Sequence, residues 1–336
     1  MIKRIYVIKT EETNPYHNLG LEEALLKKVK SDECILYLWQ NRQTVVIGRN
    51  QSAMGECRIQ KLESDGGFLA RRLSGGGAVY HDMGNLNFTF LTSAESFDKE
   101  KQTDVILEAV RMSGICAEKN GRNDLNVDGK KFSGHAYYQT KEKCYHHGTV
   151  MLCVDKTKLS DYLNVSELKL KSKGVASVKS RVINLCELNS DLTVSKLSEN
   201  LVKAFEKVYG LPAETLNEDD IDPQELKALR ERYASPEWKY AGEKILPKSV
   251  EKRFSWGQVR LDWQTENGKF TEVQFYSDGL EADYLSEIAD RLKGCSTKKT
   301  EIIKRLTDGI QNNKFVTVAA NDIFDLIREN VLEELK

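Results

Sequence analysis

The sequence predicts an α+β fold with one large domain and one small domain. Short apolar runs between turn signals indicate strands, and Leu86, Phe88 and Phe90 alternate with polar residues at the two-residue period of a half-buried strand. The apolar residues over 194–208 instead follow the helical period. A chain of 336 residues is long enough to bury a large core in such a mixture of strands and helices.

The elements of the large domain are predicted in order from the N-terminus. Residues 2–8 predict a strand, and after the turn at Asn14-Pro15 a stripe of leucines up to Val29 predicts an amphipathic helix. Helices are also predicted at 98–113 and 194–208, and further strands at 35–39, 45–47, 68–72, 79–81, 86–90, 123–127, 131–138 and 145–154. Asp128-Gly129 lies between two of these strands and is a strong hairpin signal.

A domain boundary is predicted near 235–252, where prolines and a glycine interrupt regular structure. We therefore expect a first domain over 1–247 and a second over 250–336. The second domain begins with Phe254–Gly257, continues in strands on either side of Asn267-Gly268, and ends in two or three charged helices. The charges on these helices are interpreted as a solvated surface.

Composition and charge limit the class of protein. The chain is 40% hydrophobic and 30% charged with a formal net charge of −1, which argues against nucleic-acid binding through bulk positive charge. Its seven cysteines include no C-x-x-C pair and are odd in number, which favours reduced thiols over a disulfide framework. The apolar start is too short for a secretory signal, and no segment has the length of a membrane span, so we expect a cytoplasmic protein.

The strongest functional signal is the run from Ala70 to Asn85, ARRLSGGGAVYHDMGN. Two arginines, whose forked donors suit phosphate or carboxylate, precede a serine and three consecutive glycines. Glycine allows a backbone to bend or to approach a ligand closely. The pattern indicates a loop that closes over an anionic ligand, and the alternative is a glycine hairpin with solvated arginines.

A second group of candidate residues spans Gly121–Leu125 and Asp128–Gly134. Lys131 lies there in a strand bracketed by glycines, where its ammonium can act as a point charge on a phosphate or a carbonyl. A lysine pair after a tight turn is usually solvated, and this stretch taken alone favours that interpretation.

Two adjacent histidines open the apolar strand at His146–Leu152. A metal site with His81 and His135 is one interpretation, but the spacing matches no zinc pattern, and adjacent strand residues point to opposite faces. We therefore expect one of the two histidines to be a packed, hydrogen-bonded core residue.

The segment 172–182 places three cations among small residues. It is compatible with a flexible loop that folds over a nucleotide and equally with an ordinary surface loop. The common phosphate and hydrolase signatures are absent from the sequence. The glycine triplet is not followed by Lys-Ser or Lys-Thr, and neither the dinucleotide fingerprint nor a G-x-S-x-G elbow occurs.

Taken together, these segments resemble the lipoate–protein ligase family over residues 1–245 as a catalytic domain, followed by what resembles its small accessory domain. The glycine run resembles the family's R-R-x-S-G-G-G-A-V-x-H-D-x-G-N signature. The other matches are Gly121–Leu125 to G-R-N-D-L, Lys131–Ala136 to K-x-S-G-x-A, His146–Leu152 to H-H-G-T-x-x-L, and 173–182 to the adenylate-binding loop. With several motifs in the family's order, the functional interpretation of Lys131 becomes the favoured one.

The resemblance implies a fold and a two-step reaction. The fold is shared with biotin–protein ligases and the catalytic cores of class II aminoacyl-tRNA synthetases: a mixed, largely antiparallel sheet flanked by helices. Lipoate and ATP first form lipoyl-adenylate and release pyrophosphate. A lysine of a lipoyl-acceptor domain then attacks the mixed anhydride and releases AMP. The implied acceptors are a glycine-cleavage H or H-like protein, or the E2 subunit of a 2-oxoacid dehydrogenase.

The same resemblance implies roles for the motif residues. Arg72 clamps phosphate or carboxylate, and Lys131 contacts both the lipoyl carbonyl and the α-phosphate, where it stabilises developing charge. Asp124 either holds Mg²⁺, which accompanies ATP, or orients Lys131. The adenylate-binding set is Arg72, Gly77, Ala78, Val79, Tyr80, Asn85, Asp124 and Lys131. The lipoate-binding set is Arg72, Ser74, Gly75, Gly76, His81, Lys131 and His147.

The acyl chain and the transfer step leave questions open. A dithiolane on a short aliphatic chain needs an apolar slot, which the alternating faces of strands 67–72, 85–91 and 146–152 can supply. No general base is assigned for the transfer step, and His81 and His147 are candidates only by residue type. The roles of His135 and Tyr138, in the stretch after Lys131, stay open; a polar His135 beside the site is a hypothesis for altered acceptor or acid preference.

Other classes of protein offer competing interpretations of the same motifs. An octanoyl- or lipoyl-transferase shares the fold and an equivalent lysine but uses a cysteine thioester instead of ATP. Cys144 and Cys153 lie near the histidine strand, without a neighbouring pattern that would activate a thiol. A biotin ligase fits the arginine–glycine run less well. A non-catalytic binder of lipoyl domains is disfavoured because Arg72, Lys131 and the glycines are intact. The presence of 250–336 favours the ligase, and a monomer is expected.

Overall fold

The computed structural model describes residues 1–120, 123–164, 182–280, 282, 284–307 and 314–332. Its strands are β1 Arg4–Lys9, β2 Glu33–Trp39, β3 Thr44–Ile47, β4 Phe68–Arg71, β5 Val79–His81, β6 Asn85–Ser93, β7 Glu118–Asn120, β8 Asp124–Val127, β9 Lys130–Gln139, β10 Lys143–Met151, β11 Ala213–Thr215, β12 Lys248–Arg253, β13 Gln258–Glu266 and β14 Lys269–Ser277. Its α-helices are α1 Pro15–Lys28, α2 Ala53–Glu56, α3 Ile59–Ser64, α4 Lys99–Arg111, α5 Lys156–Tyr162, α6 Val194–Tyr209, α7 Pro223–Ala234, α8 Pro236–Tyr240, α9 Tyr284–Leu292, α10 Lys299–Thr307 and α11 Lys314–Ile327.

The chain divides into two compact units. The first comprises Met1–Ile47, Ala53–Ser74 and Ala78–Ala241. The second comprises Gly242–Lys336 together with two short segments, Gly48–Ser52 and Gly75–Gly77. No helix over the described stretches has both the length and the apolar character that crossing a membrane requires.

The first unit is built on an eight-stranded sheet. Its strand order is β11-β1-β2-β6-β10-β9-β8-β7, in which β11, β1 and β2 run parallel and the remaining neighbours are antiparallel. The predicted α+β class, with a mixed and largely antiparallel sheet flanked by helices, is confirmed.

The two faces of this sheet bury different cores. Phe88 and Phe90 of β6 pack with helices α4 and α6 on one face. Tyr37 and Trp39 of β2 pack with α1 and α7 on the other. Since side chains alternate along a strand, β6 presents Asn85, Asn87 and Thr89 to the face that carries α1. The polar side chains of β6 therefore lie on this second face.

A small three-stranded sheet carries the start of the arginine–glycine run. Strand β3 lies in its middle, parallel to β4 and antiparallel to β5. Strand β4 ends at Arg71, and β5 begins at Val79, so the sheet supports both ends of the glycine-containing segment between these two strands. All four residues of β3 are buried, which makes this support rigid.

Local sequence signals explain most element boundaries. Asn14 caps α1, accepting a hydrogen bond from the Tyr16 amide (2.9 Å). Asp128 and Gly129 both adopt positive φ, of 50° and 71°, in the predicted hairpin between β8 and β9. The sequence analysis did not predict α7, although Asp222 caps it and a proline follows at its first position. Its apolar stripe is short, with three buried residues, which explains the omission.

The second unit contains a three-stranded antiparallel sheet, β12-β13-β14. The hairpin between β13 and β14 turns at Asn267-Gly268, with φ values of 50° and 71°, as predicted. Helices α9, α10 and α11 follow within the described part of this unit. Trp256, Leu261 and Phe270 contribute to its separate hydrophobic core.

Candidate active site

One row of residues crosses five strands of the large sheet. Reading from β2 to β8, each residue lies directly opposite the next: Trp39, Asn87, Thr149, Gly134 and Asp124. Directly opposed residues share a face, so the whole row lies on the face that carries α1. A row of this kind brings residues from distant motifs onto one surface.

A buried hydrogen-bond chain begins at the Trp39 end of this row. The indole Nε1 of Trp39 donates to Thr89 Oγ1 (3.1 Å), and Thr89 donates to Glu22 Oε1 (2.7 Å). Glu22 lies on α1 with 1% of its surface exposed. Burial of a carboxylate is costly unless it is paired, and these contacts supply part of the pairing.

The chain continues through His147 and Ser74. His147 Nδ1 lies 2.8 Å from Glu22 Oε1, and its Nε2 lies 2.8 Å from Ser74 Oγ. Because a carboxylate only accepts, Nδ1 donates to Glu22, and the other ring nitrogen, Nε2, is hydrogen-bonded to the hydroxyl of Ser74. The carboxylate, imidazole and hydroxyl are thereby fixed in one arrangement.

The hydrogen-bond chain continues to Arg72. Its Nε donates to Ser74 Oγ (3.0 Å), and its Nη1 donates to the carbonyl of Val46 (3.2 Å). The residue is 5% exposed, and burial lowers the pKa of its guanidinium to about 10. Arg72 therefore remains charged at neutral pH and supplies a desolvated positive charge.

His81, at the end of β5, lies close to this hydrogen-bond chain. Its Nδ1 lies 3.2 Å from Asn41 Nδ2, an amide donor, so Nε2 carries the ring hydrogen. In the described part of the chain, that buried Nε2 meets no hydrogen-bond partner. Burial, followed by the charge of Arg72, lowers the pKa of His81 to about 3, so the ring is neutral. A buried donor without a partner is a place where a ligand atom would be stabilised.

Lys131 and Asp124 form the other end of the site. Nζ of Lys131 lies 2.7 Å from Oδ1 of Asp124, on the neighbouring strand. The two side chains are 34% and 32% exposed, so both remain open to solvent and to a ligand. The resemblance implied that Asp124 either holds Mg²⁺ or orients Lys131. The contact between the two side chains matches the second of these roles.

The remaining residues of the glycine run divide between the two units. Gly75–Gly77 belong to the second unit, where the Gly76 amide donates to the carbonyl of Gly279 (3.3 Å). Gly76 has a φ of 90°, which a residue with a side chain rarely adopts. In the first unit, Tyr80 is buried with its ring 5.6 Å from that of Tyr162, while Ala78 and Val79 are half-buried.

Asn85 lies at the start of β6, on the face of the row. Its Nδ2 donates to Asn87 Oδ1 (2.8 Å), and the residue is 1% exposed. Two sets of candidate residues lie outside the described part of the chain: Gly121 and Arg122 of the second motif, and 172–181 of the proposed nucleotide loop.

The opposite face of the sheet holds a second histidine chain. His146 Nε2 lies 3.0 Å from His135 Nδ1, and His135 Nε2 lies 3.0 Å from Ser133 Oγ. His146 is fully buried, so one of the two adjacent histidines is the predicted packed, hydrogen-bonded core residue. Among the described residues, no group of three histidine, cysteine or acidic side chains is placed to hold a metal ion.

Glu22 and Thr89 are functional candidates that the sequence analysis missed. Glu22 carried one signal, a carboxylate within the apolar stripe of α1, at a position that the helix buries. Thr89 carried none, because a threonine alternating with phenylalanines is typical of any strand.

Comparison with known proteins identifies the family of this chain. Residues 14–206 match the family model described as the lipoyl protein ligase A/B catalytic domain, and 248–327 match the bacterial lipoate protein ligase C-terminus. The chain is 37% identical over 307 residues to the lipoate-protein ligase A of Psychrobacter cryohalolentis, covering 89% of this chain and 91% of that protein. This chain belongs to the lipoate–protein ligase family. The predicted enzyme class, a ligase, is confirmed with it.

Solved structures of other ligases are similar to this one. The P. falciparum LipL1 protein in complex with lipoate has a TM-score of 0.82 at 27% identity, covering 96% of this ligase and 99% of that chain. The bipartite ligase of Thermoplasma acidophilum, described with its E2 lipoyl domain, has a TM-score of 0.63 at 26% identity, covering 74% and 100%. A lipoate-protein ligase A bound with ATP has a TM-score of 0.61 at 25% identity, covering 71% and 99%.

Proposed function

We propose that this ligase activates free lipoate with ATP and transfers the lipoyl group to a lysine of an acceptor protein. The observation that carries the proposal is the contact of Lys131 with Asp124, which lies in one row with Asn87 and Trp39 on the sheet face. A solvent-accessible ammonium thus lies on the same face as the start of the buried hydrogen-bond chain that leads to Arg72.

The first step has to bring two anions together. The lipoate carboxylate attacks the α-phosphorus of ATP, and pyrophosphate leaves. The guanidinium of Arg72 and the ammonium of Lys131 would offset the repulsion between the anions and stabilise the charge of the transition state. The fixed chain from Glu22 to Arg72 holds the guanidinium in one place, so little reorganisation is needed during the reaction.

The second step forms an amide. The amine of the acceptor lysine attacks the carbonyl carbon of lipoyl-adenylate, and AMP leaves. Lys131, placed to contact both the carbonyl oxygen and the phosphate, would stabilise the negative charge on each. The contacts of two imidazoles also support a binding role: His81 has a donor at Nε2, and His147 Nε2 is hydrogen-bonded to Ser74 Oγ.

The residues also fit a magnesium ion that arrives with ATP. Mg²⁺ usually keeps several waters and binds through one or two carboxylates plus substrate phosphates, and Asp124 supplies one half-exposed carboxylate. When bound, the ion would neutralise phosphate charge. We assign Asp124 mainly to the orientation of Lys131, because its Oδ1 lies 2.7 Å from the Lys131 Nζ.

The acyl chain is proposed to lie along the same face, beside Trp39, Asn87 and His147. The partners proposed are lipoyl-acceptor proteins, namely a glycine-cleavage H or H-like protein, or an E2 subunit. The match to a ligase that is described together with its E2 lipoyl domain supports this class of acceptor. A cytoplasmic location and a monomeric state complete the proposal, and the seven free cysteines are compatible with a reducing compartment.

The competing mechanism, acyl transfer through a cysteine thioester, finds less support. Cys144 lies on β10, and burial raises the pKa of its thiol to about 12. Because the thiolate is the nucleophile, such a residue is unreactive at neutral pH.

ATP–pyrophosphate exchange on the purified protein tests the proposal. We expect exchange that depends on lipoate, is weaker with octanoate or biotin, and falls by about 10²-fold or more in Lys131→Ala. Lys130→Ala is the matched control, since it removes the neighbouring exposed lysine and should leave exchange unchanged. Absence of exchange with every acid would refute activation of the free acid.

A further inference from the structure

Lys131 reaches the face of the row only because strand β9 is irregular. Gly134 belongs to that row, directly opposite Asp124. In a regular strand, a residue three positions away points to the opposite face. Lys131 should then point into the core of α4 and α6, yet its Nζ contacts Asp124.

A register shift resolves this conflict. Ser133 lies opposite Leu125, whereas Lys131 lies opposite Asn126, so Phe132 has no partner across the ladder. One extra residue of this kind is a β-bulge, which re-aims the side chains that follow or precede it. Phe132 is 0% exposed and packs in the same core as Leu125, so the bulge turns the phenylalanine inward and Lys131 outward.

The side chain of Lys131 then runs across Gly134. A Cβ added at Gly134 would lie 2.6 Å from Lys131 Nζ and 2.7 Å from Lys131 Cε. Apart from the immediate chain neighbours of Gly134, no other atom of the described structure lies within 4 Å of that Cβ. The glycine therefore leaves open the space that the end of the lysine side chain occupies.

Two further contacts hold the arrangement. Asp124, directly opposite Gly134 on the neighbouring strand, binds the ammonium at 2.7 Å. The carbonyl of Lys131 accepts a hydrogen bond from the Ile183 amide (2.9 Å), which anchors the bulged backbone. The lysine is thus fixed at its backbone and at its charged end.

We propose that Gly134 is a positioning residue for the reaction. The bulge at Phe132 and the lack of a Cβ at Gly134 together form the space that holds the Lys131 side chain, which we call the seat of Lys131. The proposal rests on the function proposed above for Lys131. It explains why the spacing K-x-S-G matters: the bulge brings the lysine and the glycine, three positions apart, onto one face.

The variant Gly134→Ala tests the seat with little risk to folding. The φ of Gly134 is not in the left-handed region, so alanine fits the backbone, and among the described residues the added methyl group meets the movable end of Lys131. We expect an unchanged Tm and a loss of about 10²-fold in the kcat of lipoate-dependent ATP–pyrophosphate exchange, the usual scale for misplacing a catalytic group by 1 Å. The KM for lipoate should stay near the wild-type value, because the Arg72 chain is untouched.

Acetylation by an amine-reactive reagent, read by mass spectrometry, provides an activity-independent measurement. Displacement of Lys131 from Asp124 should raise its labelling rate relative to Lys130 in Gly134→Ala, and Asp124→Asn should raise it likewise. Adding Gly134→Ala to Lys131→Ala should change neither Tm nor residual exchange, because the lysine atoms that the methyl group would contact are gone.

The outcomes separate the two proposals. Wild-type exchange and labelling in Gly134→Ala would overturn the seat, as would a large fall in Tm that persists in the Lys131→Ala background. Full exchange in Lys131→Ala together with raised labelling in Gly134→Ala would support the seat and overturn the catalytic role of Lys131.

Discussion

Oγ of Ser74 lies 2.8 Å from Nε2 of His147, although 73 residues separate them in the chain. The two belong to different family motifs, and the contact joins the arginine–glycine run to the histidine strand. Glu22 on α1 completes the connection through the other ring nitrogen of His147. One buried polar chain therefore couples the helix, the large sheet and the small sheet.

Glu22→Gln should weaken this chain. The amide no longer accepts charge-assisted hydrogen bonds from Thr89 and His147, so we expect the free energy of unfolding to fall by about 1.5–3 kcal/mol. The KM for lipoate should rise, because Ser74 and Arg72 lose their fixed positions. Urea denaturation and steady-state kinetics measure the two effects. Glu225→Gln, at an exposed position of α7, is the control, and equal effects of both changes would contradict the role of Glu22.

Arg72→Lys should impair binding although it keeps the positive charge. An ammonium cannot donate to Ser74 Oγ and the Val46 carbonyl with the geometry of the guanidinium fork. We expect the KM for lipoate or ATP to rise by about tenfold, which corresponds to about 1.4 kcal/mol. Isothermal titration with each substrate would assign the loss, and wild-type affinity for both would contradict the proposed clamp.

Stability should fall as the pH is lowered below about 6.5. Burial lowers the pKa of His81 and of His135 to about 3, so each stays neutral in the folded protein while the unfolded chain takes up a proton. Each histidine therefore contributes a loss of about 1.4 kcal/mol per pH unit from 6.5 down towards 3. Urea denaturation from pH 7 to pH 5 measures the slope. His81→Gln should reduce the slope by about one proton, and an unchanged slope would contradict the neutral buried ring.

The thiols should be dispensable for lipoylation. Cys144 is buried with a raised pKa, and Cys153 is exposed at the end of β10. We expect Cys144→Ala and Cys153→Ser to transfer lipoate to an acceptor domain at the wild-type rate in the presence of ATP. A gel-shift or mass assay of the acceptor checks this. Transfer from an acyl thioester without ATP, lost in either variant, would restore the cysteine mechanism.

Much of the fold was predictable because it depends on local signals. The Asp128-Gly129 and Asn267-Gly268 hairpins, the cap at Asn14 and the apolar periods of β6 and α6 each follow from a few neighbouring residues. The helix α7 escaped prediction because only three of its residues are buried against the rest of the unit.

The candidate site was predictable in its composition but not in its connections. The motifs named Arg72, Ser74, Lys131 and His147, whose residue types suit anionic substrates. Glu22 and Thr89 were missed, since nothing near them in the chain shows that Glu22 will meet a histidine 125 positions away or that Thr89 will meet a glutamate 67 positions away.

The sequence by itself determined the family, most of the longer elements and the groups that carry charge, because motif order and side-chain chemistry are properties of the chain alone. Only the tertiary structure decided which groups meet. Strand pairing set the row from Trp39 to Asp124, and one unpaired residue in β9 turned Lys131 onto the face that carries this row. Side chains alternate with a period of two, so a single bulge decides which face receives the lysine. No local pattern encodes that shift, because it arises from the pairing of two strands.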